Sequence, residues 1–525
     1  MKVYAAVVAA LLCASACSSG RTTQASSVPV SSTDSSTTTS TPLTTTTTEA
    51  AVFDPSKVAK VTVEGPVTGG AGKAVLGAPT IDLAKGGYVE EEYFISGTAS
   101  SYTTSTPLGS DGTWSVTPAQ TADFTTRILV RRPKDVSKFN GSVAVEWLNV
   151  SAGFDNSPDW IGTHTELVRS GWAWVGVSAQ KVGIVGGKNA VVPFALQLAD
   201  PVRYAPLTHP GDSYSYDIFS QAGAAVRNDW HQLLGGPEPT KVFAFGESQS
   251  AFRLTTYINA VAPLVNVYDG YLVHSRGARG ADLSQSPLKP VATPDPTTIR
   301  TDLSVPVLMF QTETDLLGAG LGFQRARQTD TSRVRTWEVA GTAHEDYYGL
   351  GAGDSDDGSA KADEVLFSSM SSPPNAIYGG IITCTHPINT GPHSYVLRAA
   401  VSALDSWART GSPPAATEPI VIAGGAAAVD EHGNVQGGVR TPQVDVPVAT
   451  LSGYGQEGAK NFCALFGTTK PLDPRTLASL YPTHDEFVAK WKAALDAAVV
   501  NRVILDADAA NLLKAATDST IGNPG

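Results

Sequence analysis

The stretch "KVFAFGESQSAF", residues 241–252, decides how this chain is read. Five mostly apolar residues run into Gly246 and predict a strand. Glu247, Ser248, Gln249 and Ser250 follow. "SAFRLTTYINAVA" (250–262) then sets Phe252, Leu254, Ile258 and Val261 at helical spacing. A serine therefore stands between two small residues where a strand becomes a helix. Small residues at 246 and 250 let strand and helix nearly touch, so the side chain between them projects outward. Ser250 takes the place where a second glycine is commoner, and it is small enough to keep the turn.

Working outward, strand and helix signals alternate. "TRILVRRP" (126–133) and "GSVAVEWLNV" (141–150) read as strands, the second apolar enough to be buried on both faces. "SPDWIGTHTELVRSG" (157–171) predicts a helix with Ser157 as N-cap, Pro158 at the first position and Gly171 as the stop. "WAWVGVSAQ" (172–180), "VNVYDGYLVHS" (265–275), "VPVLMFQTETD" (305–315) and "VRTWEVAG" (334–341) are further strands. "SYDIFSQAGAAVRNDWHQLLG" (215–235) is one long helix, and "HSYVLRAAVSALDSWARTG" (393–411) another, ended by Gly411. This alternation predicts a mostly parallel sheet with helices on both faces. Residues 53–125 form a β-rich lead-in, with strand signals in "KVAKVTVEG", "YVEEEYFISGTASSY" and "GTWSV". The core spans about 126–415, with a cap excursion at 276–304, and 416–525 is an extension on the same body.

A serine hydroxyl is a weak nucleophile until a base takes its proton. In parallel α/β sheets the site lies beyond the C-terminal strand ends. The partners should follow in chain order, an acid and then a histidine. Glu313 and Asp315 lie just past one strand, and His344 follows the next, 29 residues after Asp315. Asp315 is the expected acid and Glu313 the alternative. Among nine histidines, His274 precedes the acid, while His386 and His393 are rivals to His344. The two N–H donors that an oxyanion requires are assigned to Gln249 and to Val150, with Asn149 as the alternative to Val150. Trp147, Trp172, Trp174, Tyr347 and Tyr348 are candidates for a pocket lining, and each also suits ordinary packing. "GDSDDG" (353–358) lacks calcium-loop spacing and reads as an acidic surface loop. No metal or cofactor signature is present.

The formal net charge is −12, a surface that repels nucleic acid and anionic membrane. The N-terminus sets the compartment. "MKVYAAVVAALLCASAC" (1–17) has one basic residue and a short apolar run, too short to span a bilayer as a mature helix. Small residues before Cys17 resemble a bacterial lipoprotein signal, with Ala14 departing from the usual aliphatic residue. Residues 1–16 are then removed and Cys17 is lipidated; the other reading is plain secretion. Residues 17–52, rich in Ser and Thr, form a disordered stalk. That leaves Cys384 and Cys463 as a pair in an oxidising compartment, so a disulfide is expected.

The blocks "VEWLNVSAG", "GESQSA", "TAHED" and "INTGPHSYVLRAA" resemble those of long secreted bacterial α/β-hydrolase proteins. The resemblance covers roughly 85–415 and the extension, and it implies an α/β-hydrolase fold, for a domain taken as 53–525, with a Ser248, Asp315, His344 triad and no cofactor. It says little about substrate. The function expected is a serine hydrolase, most simply a carboxylic ester hydrolase acting on a small-molecule or cell-envelope ester, with membrane contact only through the lipid. The alternatives are a serine peptidase and a non-catalytic surface binding protein. The oligomeric state is left open.

Overall fold

The computed structural model describes residues 53–77, 81–187, 193–456 and 462–523. The signal, Cys17 and the stalk lie outside the described residues.

A nine-stranded sheet runs in the order β1-β2-β3-β5-β4-β6-β7-β8-β9. Its strands are β1 Thr62–Glu64, β2 Tyr88–Thr103, β3 Thr117–Pro133, β4 Ser142–Trp147, β5 Ala173–Val177, β6 Lys241–Glu247, β7 Gly270–His274, β8 Val307–Thr312 and β9 Val334–Val339. From β5 across to β9 all pairings are parallel. The lead-in supplies β1, β2 and the first half of β3 as an antiparallel edge, and the second half of β3, Thr126–Pro133, joins it to β5. The alternation of side chains sorts the core into two layers. Val242 and Ala244 of β6 join a cluster with the helices Ser215–Asn228 and Gln249–Thr256. Phe243 and Phe245 face the other layer, with the helices Pro158–Arg169 and His393–Thr410. Burial on both sides is why β5 carries no polar residue and β6 is apolar from Val242 to Gly246.

The helix His393–Thr410 buries Val396, Leu397, Ala400, Val401, Leu404 and Trp407 along one stripe and stops where Gly411 takes φ 74°. The extension closes over the same layer. Its helices His484–Val500 and Asp506–Thr517 contribute Phe487, Trp491, Leu495 and Leu512 to the second cluster. Cys384 and Cys463 are joined, with sulfurs 2.00 Å apart.

Several local expectations change. Residues 112–116 form no strand; β3 begins at Thr117. The long helix ends at Asn228, and a separate turn Trp230–Leu233 follows. The helix after Ser248 widens into a π-turn at Tyr257–Val261. Pro263 is the cause: it has no N–H for the Asn259 carbonyl, and the Arg300 guanidinium donates to that oxygen instead at 2.8 Å. The 276–304 excursion contains no helix and a single isolated bridge, Ser284 to Val291. Ser157 occupies the N-cap position, but its buried hydroxyl has no partner among the described residues. Glu146, at the end of β4, does the capping: it accepts the Asp159 and Trp160 amides at 3.1 and 2.9 Å. "GDSDDG" is not a surface loop throughout, because Asp356 is buried against Tyr348 and Arg398.

Candidate active site

β6 ends at Glu247, and Ser248 takes φ 54° and ψ −118°. A non-glycine residue held there is strained by about 1–3 kcal/mol. Gly246 explains how the turn closes: a Cβ there would lie 3.1 Å from the Ser250 carbonyl carbon and oxygen. Ser250 is fully buried beneath the elbow, so the two small positions touch. The Ser248 amide donates to the His274 carbonyl at 2.9 Å, fixing the turn to β7. Ser248 itself is half-buried.

The structure brings Ser248, His344 and Asp315 together. Ser248 Oγ is 2.8 Å from His344 Nε2. His344 Nδ1 is 2.6 Å from Asp315 Oδ1. Asp315 follows β8 and His344 follows β9, adjacent parallel strands whose ends place both loops beside the elbow. The Thr312 amide donates to the other Asp315 oxygen at 2.7 Å. Burial works to raise this carboxyl, but His344 and the Thr312 hydrogen bond outweigh it and hold it below the usual carboxylate range.

Glu313, the alternative acid, makes no contact with His344 among the described residues. It is fully buried and accepts the Gly341 and Gly453 amides at 2.6 and 2.8 Å. It thereby ties the histidine loop to the extension, and burial pushes it up to about 7 against those hydrogen bonds. A Cβ on Gly453 would lie 2.5 Å from Glu313 Cβ, so the extension reaches this position only as glycine.

Gln249 follows Ser248 directly, and Val150 follows Asn149, which bonds to Glu247. Neither amide has an acceptor among the described residues. Gln249 opens its helix, where N–H groups lack intrahelical partners. Asn149 holds the Val150 loop against the elbow: its Nδ2 donates to the Glu247 carbonyl at 3.2 Å and to Glu247 Oε2 at 3.0 Å. Its Oδ1 accepts the Ser151 amide.

The rival histidines sit elsewhere. His386 is exposed. His274 and His393 are buried behind the site with their Nε2 atoms 2.7 Å apart. His393 Nδ1 donates to the Ala343 carbonyl at 3.0 Å, so its Nε2 accepts and His274 Nε2 is the donor. His274 Nδ1 then accepts, and Asp159 Oδ1 at 2.9 Å must hold a proton. The electrostatics agree. Burial pushes both histidines down to about 3 and Asp159 well above the carboxylate range. Trp147, Trp172, Trp174 and Tyr348 are core residues; only Tyr347 of the proposed aromatic lining is half-exposed.

Sequence reasoning missed Glu247. Its Oε1 is 3.3 Å from His344 Nε2. The signal was available: a carboxylate closing an otherwise apolar strand, beside a nucleophile. Among the described residues no group of three or more His, Cys, Asp or Glu side chains is placed to hold a metal ion. No helix among them is long and apolar enough to cross a membrane.

Comparison with solved structures finds a fungal esterase from Rhizomucor miehei, at 11% identity over 48% of this chain and 74% of that one, with a TM-score of 0.24. An alpha-beta serine hydrolase homologue from Coxiella burnetii matches at 13% identity, 42% and 84% coverage and a TM-score of 0.26. A glucuronoyl esterase from Teredinibacter turnerae matches at 11% identity, 52% and 65% coverage and a TM-score of 0.25. No curated protein matches the sequence. A family model described as an alpha/beta hydrolase domain matches residues 63–514. That span takes in the antiparallel edge, the elbow, both partner loops and the extension, and the chain belongs to the alpha/beta hydrolase domain family.

Proposed function

We propose that the protein is a serine hydrolase that cleaves carboxylic esters. One observation carries this reading: a half-exposed Ser248 on a strained elbow, 2.8 Å from an imidazole whose far nitrogen meets a buried carboxylate. Ser248 Oγ attacks the ester carbonyl carbon and its proton passes to His344 Nε2. The Gln249 and Val150 amides receive the oxyanion. As the tetrahedral intermediate collapses, the bond to the leaving oxygen breaks and His344 returns the proton to it. Water then attacks the acyl carbon while its proton passes to His344; the bond from that carbon to Ser248 Oγ breaks, His344 returns the proton to Oγ, and the acid leaves. Asp315 fixes the imidazole orientation and balances its charge.

The full chain should hydrolyse short p-nitrophenyl esters, and Ser248→Ala should remove that activity. A fluorophosphonate should label Ser248. Absence of labelling at every pH favours a binding protein on a hydrolase scaffold, and faster cleavage of p-nitroanilides than of esters favours a peptidase. The reading extends to location: a lipid on Cys17 would hold the enzyme at the cell envelope, facing small-molecule or envelope esters. Metabolic labelling with palmitate, lost in Cys17→Ala, tests that part separately.

A further inference from the structure

We propose that Glu247 is a positioning residue of this reaction, holding the positive charge that His344 acquires when Ser248 gives up its proton. The proposal rests on the serine hydrolase reading above. Glu247 is 3% exposed, and its Oε1 makes no hydrogen bond among the described residues. That oxygen lies 3.3 Å from His344 Nε2, the nitrogen whose charge changes during the reaction. A buried acceptor left without a donor is unfavourable, unless a donor or a charge arrives at some stage of the cycle.

The rest of the residue is immobilised. Asn149 Nδ2 donates to Oε2 and to the Glu247 carbonyl, so the carboxyl cannot turn away. At rest Nε2 faces the Ser248 hydroxyl at 2.8 Å. Once the Oγ proton has moved, the ring is a cation with Asp315 at one nitrogen and Glu247 beside the other. Nothing is transferred to Glu247. The proton goes from Oγ to Nε2 and then to the leaving oxygen, and Glu247 supplies negative charge alone. In a buried site that charge acts with little screening.

The groups facing Glu247 are nearly all acidic: Glu345 on the histidine loop, Asp159 on the helix Pro158–Arg169, and Asp315 beyond β8. His274 on the neighbouring strand and His393 behind it are buried in neutral form. No lysine or arginine contacts Glu247 among the described residues. Burial first, and then the charges of Glu345 and Asp315, raise its carboxyl well above the ordinary range, against the Asn149 hydrogen bond; the protonated Asp159 adds no charge. It therefore loses its proton late, and activity needs both an ionised Glu247 and a neutral His344.

The consequence is a pH profile with two protons in it. For the full chain, the rate of fluorophosphonate labelling at Ser248 should fall on the acid side with a slope approaching two protons. Glu247→Gln should reduce the slope to one, displace the limb to lower pH and lower the plateau about tenfold. A wild-type limb with a slope of one, or a folded Glu247→Gln protein whose profile overlays the wild type, overturns the proposal. If the variant fails to fold, Ser248→Ala keeps position 247 native. There the His344 ring, followed by NMR, should titrate in two coupled steps, and a single step overturns the proposal. Failure of the wild-type protein to label at all sinks the hydrolase reading instead, so the two failures are distinguishable.

Discussion

Asp315 and His344 meet at 2.6 Å, from loops that leave two neighbouring parallel strands. Glu313, two residues before Asp315, points its carboxylate at backbone amides instead. The two acids therefore have separable roles. Asp315→Asn should lower kcat for p-nitrophenyl esters by about 10³–10⁴ with little change in KM, because the imidazole loses its orienting acceptor. Glu313→Ala should cost about 3 kcal/mol of stability by orphaning buried amides, while kcat of the folded protein changes less than tenfold. Steady-state kinetics beside urea unfolding check both; a large kcat loss in Glu313→Ala contradicts the division.

The hydrogen-bond chain from Ala343 through His393 and His274 to Asp159 leaves Asp159 as a donor. An asparagine amide can replace a protonated carboxyl in that role. Asp159→Asn should keep the wild-type melting temperature and activity, while Asp159→Leu should lose about 1–3 kcal/mol. A strongly destabilised Asp159→Asn would mean that the pair holds an aspartate and an imidazolium.

Asp346 is buried with one oxygen unpartnered, and burial pushes it up to about 7 against the Gly349 hydrogen bond. Its folded value lies above the unfolded value of about 3.9, so the folded state binds the extra proton. Stability from this group is full below pH about 4 and is lost as pH rises through about 7. Asp346→Asn cannot ionise. It should match the wild type near pH 4 and exceed it by up to about 4 kcal/mol above pH 7. Urea midpoints across that range check the sign, and a gap that opens toward acid refutes it.

A methyl group on Gly246 would sit 3.1 Å from the Ser250 carbonyl and press on that backbone. Gly246→Ala should fold and still displace Ser248, lowering kcat/KM about 100-fold. Retention of full activity would mean that the elbow yields without moving the nucleophile.

The Cys384–Cys463 bond closes a separation of 79 residues. Replacing both with serine should cost about 4–5 kcal/mol on the loop-entropy model. The urea midpoint should move accordingly, and an unchanged midpoint would show that the loop is already constrained in the unfolded chain.

The elbow, the strands around it and the serine, acid and histidine sequence were legible because each is a local pattern. Short-range chemistry accounts for them: apolar strands buried on both faces, small residues at a tight turn, acids and histidines just past strand ends. What escaped depends on contacts between distant segments. Ser157 looked like a cap, but Glu146 from another strand took its place. The helix past Ser248 read as regular until Pro263 denied Asn259 a donor. Glu247 looked like filler inside a motif, because only the folded loops bring His344 beside it.

The extension does more than cover a layer of apolar side chains. The Glu345 amide donates to the Leu465 carbonyl, Asn389 takes its backbone donor bond to Phe466, and Gly453 reaches into the turn below Asp315. Anyone trimming this enzyme to a shorter scaffold would find no safe place to stop after Gly411. Cutting there would strip the histidine loop of the backbone that props it, so residues 412–525 are as much a part of the site as the serine itself.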